Sequence, residues 1–216
     1  GGILMGNNST AGTTTTINGN LSMSGTSSLI IVSSSAASTV NVLGNMSFTG
    51  GTLTMTESTG TGTLKVAGDF THTGGTITET GTPAGEIIFK GSSMQTYTSG
   101  GTISNAINFT VNNGAYLQMA AETTTITGGG TFTLVNGGKL GVKSTGGIST
   151  SGATGNIRVT GTRTFNTGAD YIYNGTSNQI TGSGLPATTR NLTFDNTANI
   201  TLTNSTAATG TLSLTN

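Results

Sequence analysis

The chain contains few charged residues. Only 6% of its 216 residues are charged, and seven acids balance seven bases, whereas ordinary soluble domains carry about 25%. Nucleic acid requires a clustered basic surface, and an anionic membrane surface attracts polybasic segments. Because the bases are spread along the sequence, neither partner is expected. They are Lys65, Lys90, Lys139, Lys143, Arg158, Arg163 and Arg190.

Several other residue types are missing or rare. The chain has no cysteine, no tryptophan, two prolines and a single histidine, His72. A disulfide framework and a histidine metal cluster are therefore excluded, and any Ser-His-Asp site would have to use His72. No apolar run approaches the roughly 18 residues of a membrane helix, so no membrane insertion is expected. The sequence predicts no catalytic, cofactor-binding or metal site.

Glycine and threonine are abundant instead. The sequence contains 36 glycines and 49 threonines, and 32% of it is hydrophobic. Disordered chains combine low hydrophobicity with high net charge, whereas here apolar and polar residues alternate. Threonine favours strands, and Gly, Thr, Ser and Asn are poor helix formers. These features predict an ordered all-β protein.

A short phrase recurs at a regular interval. It consists of Gly, Asn or Asp, an apolar residue, Ser or Thr, and a large residue, and it starts at Gly19, Gly44 and Gly68. The last two copies continue as GNMSFTGGTLTMT and GDFTHTGGTITET, and the period is clearest over 16–82. Repeats of this length, about 24 residues, are typical of solenoids.

A longer similarity relates 86–136 to 170–216. Within it Gly91 corresponds to Gly175, and Gln95 corresponds to Gln179. The offset decreases along the segment, because Gly130 corresponds to Gly210 near its end. We therefore interpret 1–216 as a single repeat domain with small insertions.

The repeat length suits a right-handed parallel β-solenoid, or β-helix, with about 24 residues and three short strands per coil. Stacked coils lie ~4.8 Å apart, so roughly nine coils would form a rod of about 40 Å. Period-two alternation should place apolar side chains inside and threonines outside. We expect Met46 over Phe70, Phe48 over His72, and Leu53 over Ile77. An antiparallel β-sandwich is the alternative.

The passage YIYNGTSNQITGSGLPATTRNLTFDNTANITLTN (171–204) resembles strand repeats of large secreted, adhesin-like surface proteins of the Bacteroidota. Such proteins are often exported by the type IX route, although the usual carboxy-terminal sorting domain is not visible here. The resemblance implies an extracellular or cell-surface location in a bacterium and a structural or adhesive role. It supplies no catalytic residues.

We therefore expect a non-enzymatic extracellular structural protein, a segment or subunit of a surface adhesin, filament or matrix fibre. Its coils would self-associate end to end or continue within a longer chain. The start lacks Met and the end stops within a strand pattern, which suggests a mature product or an excised segment. The candidate assembly edges are Ile3, Leu4, Met5, Leu212 and Leu214.

Two other functions remain open. A carbohydrate-binding or carbohydrate-cleaving β-helix could stack surface glycans on Tyr171 and Tyr173, with Tyr97 and Tyr116 as further aromatics, and could use Glu57 and Glu79 as paired carboxylates. An ice-binding solenoid could use Thr-x-Thr arrays, of which the candidates are Thr52/Thr54, Thr76/Thr78, Thr125/Thr127, Thr131/Thr133 and Thr201/Thr203.

Two polar residues of the repeat have structural interpretations. His72 replaces Met23 and Phe48 in the repeated phrase and is expected in the core or at its rim. Asp69 replaces Asn20 and Asn45 and is expected to bond its own backbone in a turn.

Overall fold

The computed structural model describes residues 2–4 and 12–215, with side chains from residue 12 onward. Twelve of its strands belong to one large sheet that includes both ends of the described chain. These strands are β1 (Gly2–Leu4), β3 (Leu21–Met23), β4 (Ser28–Val32), β6 (Met46–Thr56), β8 (Phe70–Thr78), β10 (Met94–Ser99), β11 (Thr102–Ile103), β13 (Tyr116–Met119), β15 (Lys139–Val142), β17 (Asp170–Tyr173), β20 (Asn191–Phe194) and β23 (Leu212–Leu214).

A second sheet has seven strands, and the remaining described strands form two short pairs. The seven strands are β2 (Thr13–Ile17), β5 (Ser38–Val42), β7 (Gly62–Val66), β9 (Glu86–Phe89), β12 (Asn108–Val111), β14 (Phe132–Leu134) and β16 (Arg163–Phe165). The short pairs join β18 (Gln179–Ile180) to β21 (Ile200–Thr201) and β19 (Thr188–Thr189) to β22 (Ala207–Ala208).

The strands stack as a parallel β-solenoid of about eight turns, with successive turns about 24 residues apart. Every pairing between the described strands is parallel, for example β5 with β7 and β17 with β20. The predicted solenoid is therefore confirmed, and the antiparallel sandwich is wrong. The number of turns is about eight and not the nine expected, and individual turns differ in length. Tyr116 pairs with Lys139, but Lys139 pairs with Asp170, which is farther along the chain than one ordinary repeat.

The two copies of the repeated phrase lie directly on one another, as predicted. The pairs in register are Met46–Phe70, Phe48–His72 and Leu53–Ile77. The expectation that all threonines face outward is wrong, because Thr54 and Thr56 are buried. Thr56 is held inside by its hydroxyl, which donates to the Gly60 carbonyl at 2.7 Å.

A ladder of hydrogen bonds between side-chain oxygens and backbone amides of the next turn explains why the phrase starts with glycine followed by Asn or Asp. The side-chain oxygen of Asn20 accepts from Asn45 N at 2.8 Å, that of Asn45 from Asp69 N at 2.9 Å, and that of Asp69 from Thr96 N at 2.7 Å. Asp69 therefore bonds the next turn and not its own backbone, which corrects the turn interpretation. A Cβ at Gly68 would lie 2.3 Å from the Asn45 side-chain oxygen, so the ladder leaves room only for glycine.

The core lies between the two main sheets and consists of stacked apolar columns. On the seven-stranded sheet, one column joins successive turns through residues that are all fully buried. Its members are Val40, Leu64, Ile87, Phe109 and Phe132. Stacking therefore buries an apolar stripe that a single turn leaves open.

Candidate assembly surface

One apolar column of the twelve-stranded sheet runs to its C-terminal edge and becomes exposed there. Residues in this column pair in register from β13 to β23. Their exposed fractions rise from 0% at Leu117, Leu140 and Tyr171 to 2% at Leu192 and 57% at Leu212. Leu212 therefore continues a core column, and no described strand lies on its far side.

A second column behaves in the same way. Val142 pairs with Tyr173, Tyr173 with Phe194, and Phe194 with Leu214. The first two are fully buried, Phe194 is half-buried, and Leu214 is 73% exposed. Both core columns thus become exposed at β23, the last described strand.

A shallow cavity of about 340 Å³ opens beside this end. Apolar side chains from the last two turns line it, chiefly Phe194, Ile200 and Leu214, together with Asn196 and Asn199. An incoming side chain could fill this cavity and remain in contact with the apolar column.

The backbone of β23 is also uncovered. Its described residues pair with β20 on one side and with no other described strand. Natural edge strands are usually protected by charge, proline or a bulge, yet the sequence from 196 to 216 contains no charged residue and no proline. Among the described residues, the outer side of β23 therefore has no neighbouring strand.

The assembly residues predicted from sequence fall at both ends of the large sheet. Leu212 and Leu214 lie on β23, as described above. Ile3 and Leu4 belong to β1, which ends the strand order on the opposite side and pairs with β4. Met5 lies outside the described residues. Phe194 and Ile200 also lie at this end and were not predicted as assembly residues, although the alternation around both residues was a usable signal.

The two tyrosines proposed for glycan stacking lie inside the core, so that prediction is wrong. Tyr171 and Tyr173 are fully buried, and their hydroxyls donate to the carbonyls of Asn166 and Thr181, each at 2.8 Å. Burial raises the pKa of both phenols well above the usual value. Neither ring face is available to a sugar, because both rings are part of the core. Tyr97 is also fully buried.

Tyr116 is the partly exposed member of this set. Its hydroxyl donates to the Gln118 side chain at 2.9 Å, and the Lys139 ammonium lies 5.1 Å from its ring centroid. The Lys139 ammonium therefore already lies over one face of the ring.

His72 is fully buried between aromatic rings, as the repeat predicted. Its ring lies 5.1 Å from that of Phe48 and 6.2 Å from that of Phe70. Neither ring nitrogen makes a hydrogen bond of normal geometry with a described residue. Burial lowers the pKa of His72 to about 4, opposed only in part by the backbone of Gly75. Its imidazole is a neutral core ring at neutral pH.

The carboxylates considered for catalysis lie in different environments. Glu57 is exposed. Glu79 is 6% exposed, and its carboxylate accepts a hydrogen bond from Gly85 N. Because Glu79 supports a buried turn, the two residues do not form a pair of solvent-facing carboxylates.

The Thr-x-Thr pairs do not form one continuous array. Thr52/Thr54 and Thr76/Thr78 stack in neighbouring turns of the large sheet, but Thr54 is buried. The pair Thr131/Thr133 lies at β14 in the other sheet, whose outward columns also contain Lys65 and Ile88 in register. Threonine thus occupies several faces of the rod.

Comparisons with protein-family models, curated proteins and solved structures give no match to this chain. In the ranges 2–4 and 12–215, no helix has the length and apolar character needed to cross a bilayer.

Proposed function

We propose that the chain is a non-enzymatic extracellular structural protein, a segment or subunit of a bacterial surface adhesin, filament or matrix fibre assembled by β-strand stacking. The resemblance of 171–204 to repetitive surface proteins supports the location. The uncovered end of the core, where Leu212 and Leu214 continue buried columns, supports the mode of assembly.

The positions of the ionisable groups support a non-enzymatic role. The only histidine is enclosed by aromatic rings, and Glu79 is held by a backbone amide. Asp170 forms a two-pronged ion pair with Arg190 at 2.7 and 2.9 Å. These groups have structural partners or structural surroundings.

The strength of end-to-end contact can be bounded. Burying two leucines contributes about 3–6 kcal/mol, and bringing two molecules together costs about 4–15 kcal/mol. Backbone bonds along β23 add to the gain. Because this gain only partly offsets the cost, separate copies should associate only at high concentration. Within one longer chain the cost of bringing two molecules together does not arise, so the same contact should be stable there.

Sedimentation velocity of the 216-residue chain tests this proposal. The range of about 10 µM to 1 mM follows from the free energies of burial and association given above. We expect elongated oligomers that grow with concentration and appear as rods in electron micrographs. Leu214→Lys places a charge on the open end and should suppress them.

Leu43→Lys is the matched control. Leu43 is 44% exposed, but it lies between β5 and β6, away from the end. Its substitution should leave association unchanged. A strictly monomeric chain at the highest concentration, or equal association of both variants, would contradict assembly through this end.

A further inference from the structure

The longest turn of the solenoid forms a cleft on its side. The interval from Lys139 to its partner Asp170 is longer than the interval from Tyr116 to its partner Lys139. Part of the added length folds as a loop around 149–153, and a cleft of about 500 Å³ lies against it. Its polar lining comprises Thr127, Thr150, Ser151, Arg158, Thr160 and Arg163.

Arg163 places a buried positive charge in the lining of this cleft. It pairs in register with Phe132, so a guanidinium stands in a column otherwise filled by apolar side chains, and it is only 7% exposed. It donates to the carbonyls of Val159 at 2.9 Å, Ser149 at 3.1 Å and Gly152 at 2.6 Å. A guanidinium has five N–H donors, so these three bonds leave two.

Within the described part of the chain, no carboxylate pairs with this charge. From residue 123 to 169 the sequence contains no Asp or Glu. The flanking acids are engaged elsewhere: Glu122 accepts from Thr176 and Ser177, and Asp170 pairs with Arg190. The same stretch contains four bases, Lys139, Lys143, Arg158 and Arg163.

Arg158 adds a second positive charge to the same cleft. Its Nε donates to the Gly155 carbonyl at 2.8 Å, and its side chain is partly exposed. Burial, and then the nearby charge of Arg158, lower the pKa of Arg163. Two like charges held together, one of them removed from water, are unfavourable without a counter-ion.

We propose that this cleft binds an oxyanion, a carboxylate or a sulfate, carried by a ligand of monosaccharide or disaccharide size. Arginine forks match such groups with paired hydrogen bonds. The hydroxyls of Thr127, Thr150, Ser151 and Thr160 provide partners for ligand hydroxyls. The residues of this site differ from those of the C-terminal end, so the proposal is independent of assembly.

NMR titration of the ¹⁵N-labelled chain tests the site with three probes: sodium D-glucuronate, sodium sulfate and neutral D-glucose. Ionic strength is held constant with sodium chloride. We expect saturable shifts of amides in 149–163 with glucuronate or sulfate, and none with glucose. Arg158→Gln should weaken anion binding by about tenfold, since it removes one charge-assisted partner.

Lys65→Gln is the control, because it removes an equal charge from the seven-stranded sheet away from the cleft. The affinity of the Lys65→Gln variant for the anion should stay within twofold of that of the original chain. An unchanged thermal unfolding curve shows that Arg158→Gln folds normally. Arg158 is replaced rather than Arg163, because replacing Arg163 would also remove three structural hydrogen bonds.

The outcomes separate the ligand sources. Binding of glucuronate alone identifies a carboxylated ligand, sulfate alone a sulfated one, and both a general oxyanion site. The proposal is overturned if neither anion saturates, if glucose binds equally, or if Arg158→Gln and Lys65→Gln behave alike.

Discussion

Gln95 and Gln179, which lie in different turns of the solenoid, make the same set of hydrogen bonds. Their side-chain oxygens accept from Gly91 N at 2.6 Å and from Gly175 N at 3.3 Å, respectively. Each Nε2 also donates to two carbonyls of an earlier turn, at 2.9 and 2.6 Å for Gln95 and at 2.9 and 3.0 Å for Gln179. The longer repeat thus encodes a buried glutamine corner.

Gln179→Ala should destabilise the protein by roughly 2–4 kcal/mol, because it removes four buried hydrogen bonds: those that its oxygen accepts from Gly175 N and the Asn196 side chain, and two that its amide donates to carbonyls. Asn178→Ala is the matched control. Asn178 is exposed and makes one long bond, 3.3 Å, to Asn199 N, so its loss should cost under about 0.5 kcal/mol. Urea unfolding measures both; equal midpoints would contradict the structural role of the corner.

Gly68→Ala should destabilise the fold by roughly 1–3 kcal/mol, since the new methyl would overlap the Asn45 oxygen of the turn below. Gly19 holds the same place in an earlier copy of the phrase, but a Cβ there meets nothing within 4 Å. Gly19→Ala should therefore change stability by less than about 0.5 kcal/mol. Thermal unfolding of the two variants tests whether stacking selects the glycine.

Tyr97→Phe should leave stability unchanged or raise it by about 1 kcal/mol, because the buried Tyr97 hydroxyl has no hydrogen-bond partner among the described residues. Tyr173→Phe is the contrasting variant. It removes a buried bond to the Thr181 carbonyl and should cost about 1–2 kcal/mol. If chemical denaturation shows Tyr97→Phe to be the more harmful change, the arrangement of these rings is wrong.

Acid should weaken the core through His72. Its pKa falls from 6.5 to about 4 on folding, so the unfolded chain binds the proton more readily between these values. Stability is therefore lost as the pH falls from 6.5 to about 4, by about 3 kcal/mol from this group. Below that window its contribution levels off.

His72→Met isolates this effect, because Met23 occupies the same column. The difference in unfolding free energy between the variant and the original chain should grow by about 3 kcal/mol in favour of methionine on acidification across the window. A constant difference from neutral pH down to the lower end of the window would show that His72 is not buried as a neutral ring.

The sequence was sufficient to predict the stacking of adjacent turns. Period-two alternation and the regular spacing of the phrase place Leu53 over Ile77, because identical phrases can bury their apolar residues only in register. The same pattern could not assign Tyr171 and Tyr173, since alternation identifies residues that share a face without saying which face is inside.

Other features depend on contacts between distant turns. Asp69 follows a turn-like glycine, yet its partner is Thr96 in the next turn. Arg158 and Arg163 look like two scattered bases in the sequence, and only the folded loop around 149–153 places them in one cleft.

The sequence alone determined that this protein is an all-β repeat protein and favoured a β-solenoid over a sandwich, because low charge, abundant threonine and a short repeat favour strands that gain cover only by stacking. The tertiary structure decided which core positions remain open. Leu192 and Leu212 follow the same alternation, but one is 2% exposed and the other 57%. The reason is that β23 covers Leu192, whereas no described strand covers Leu212.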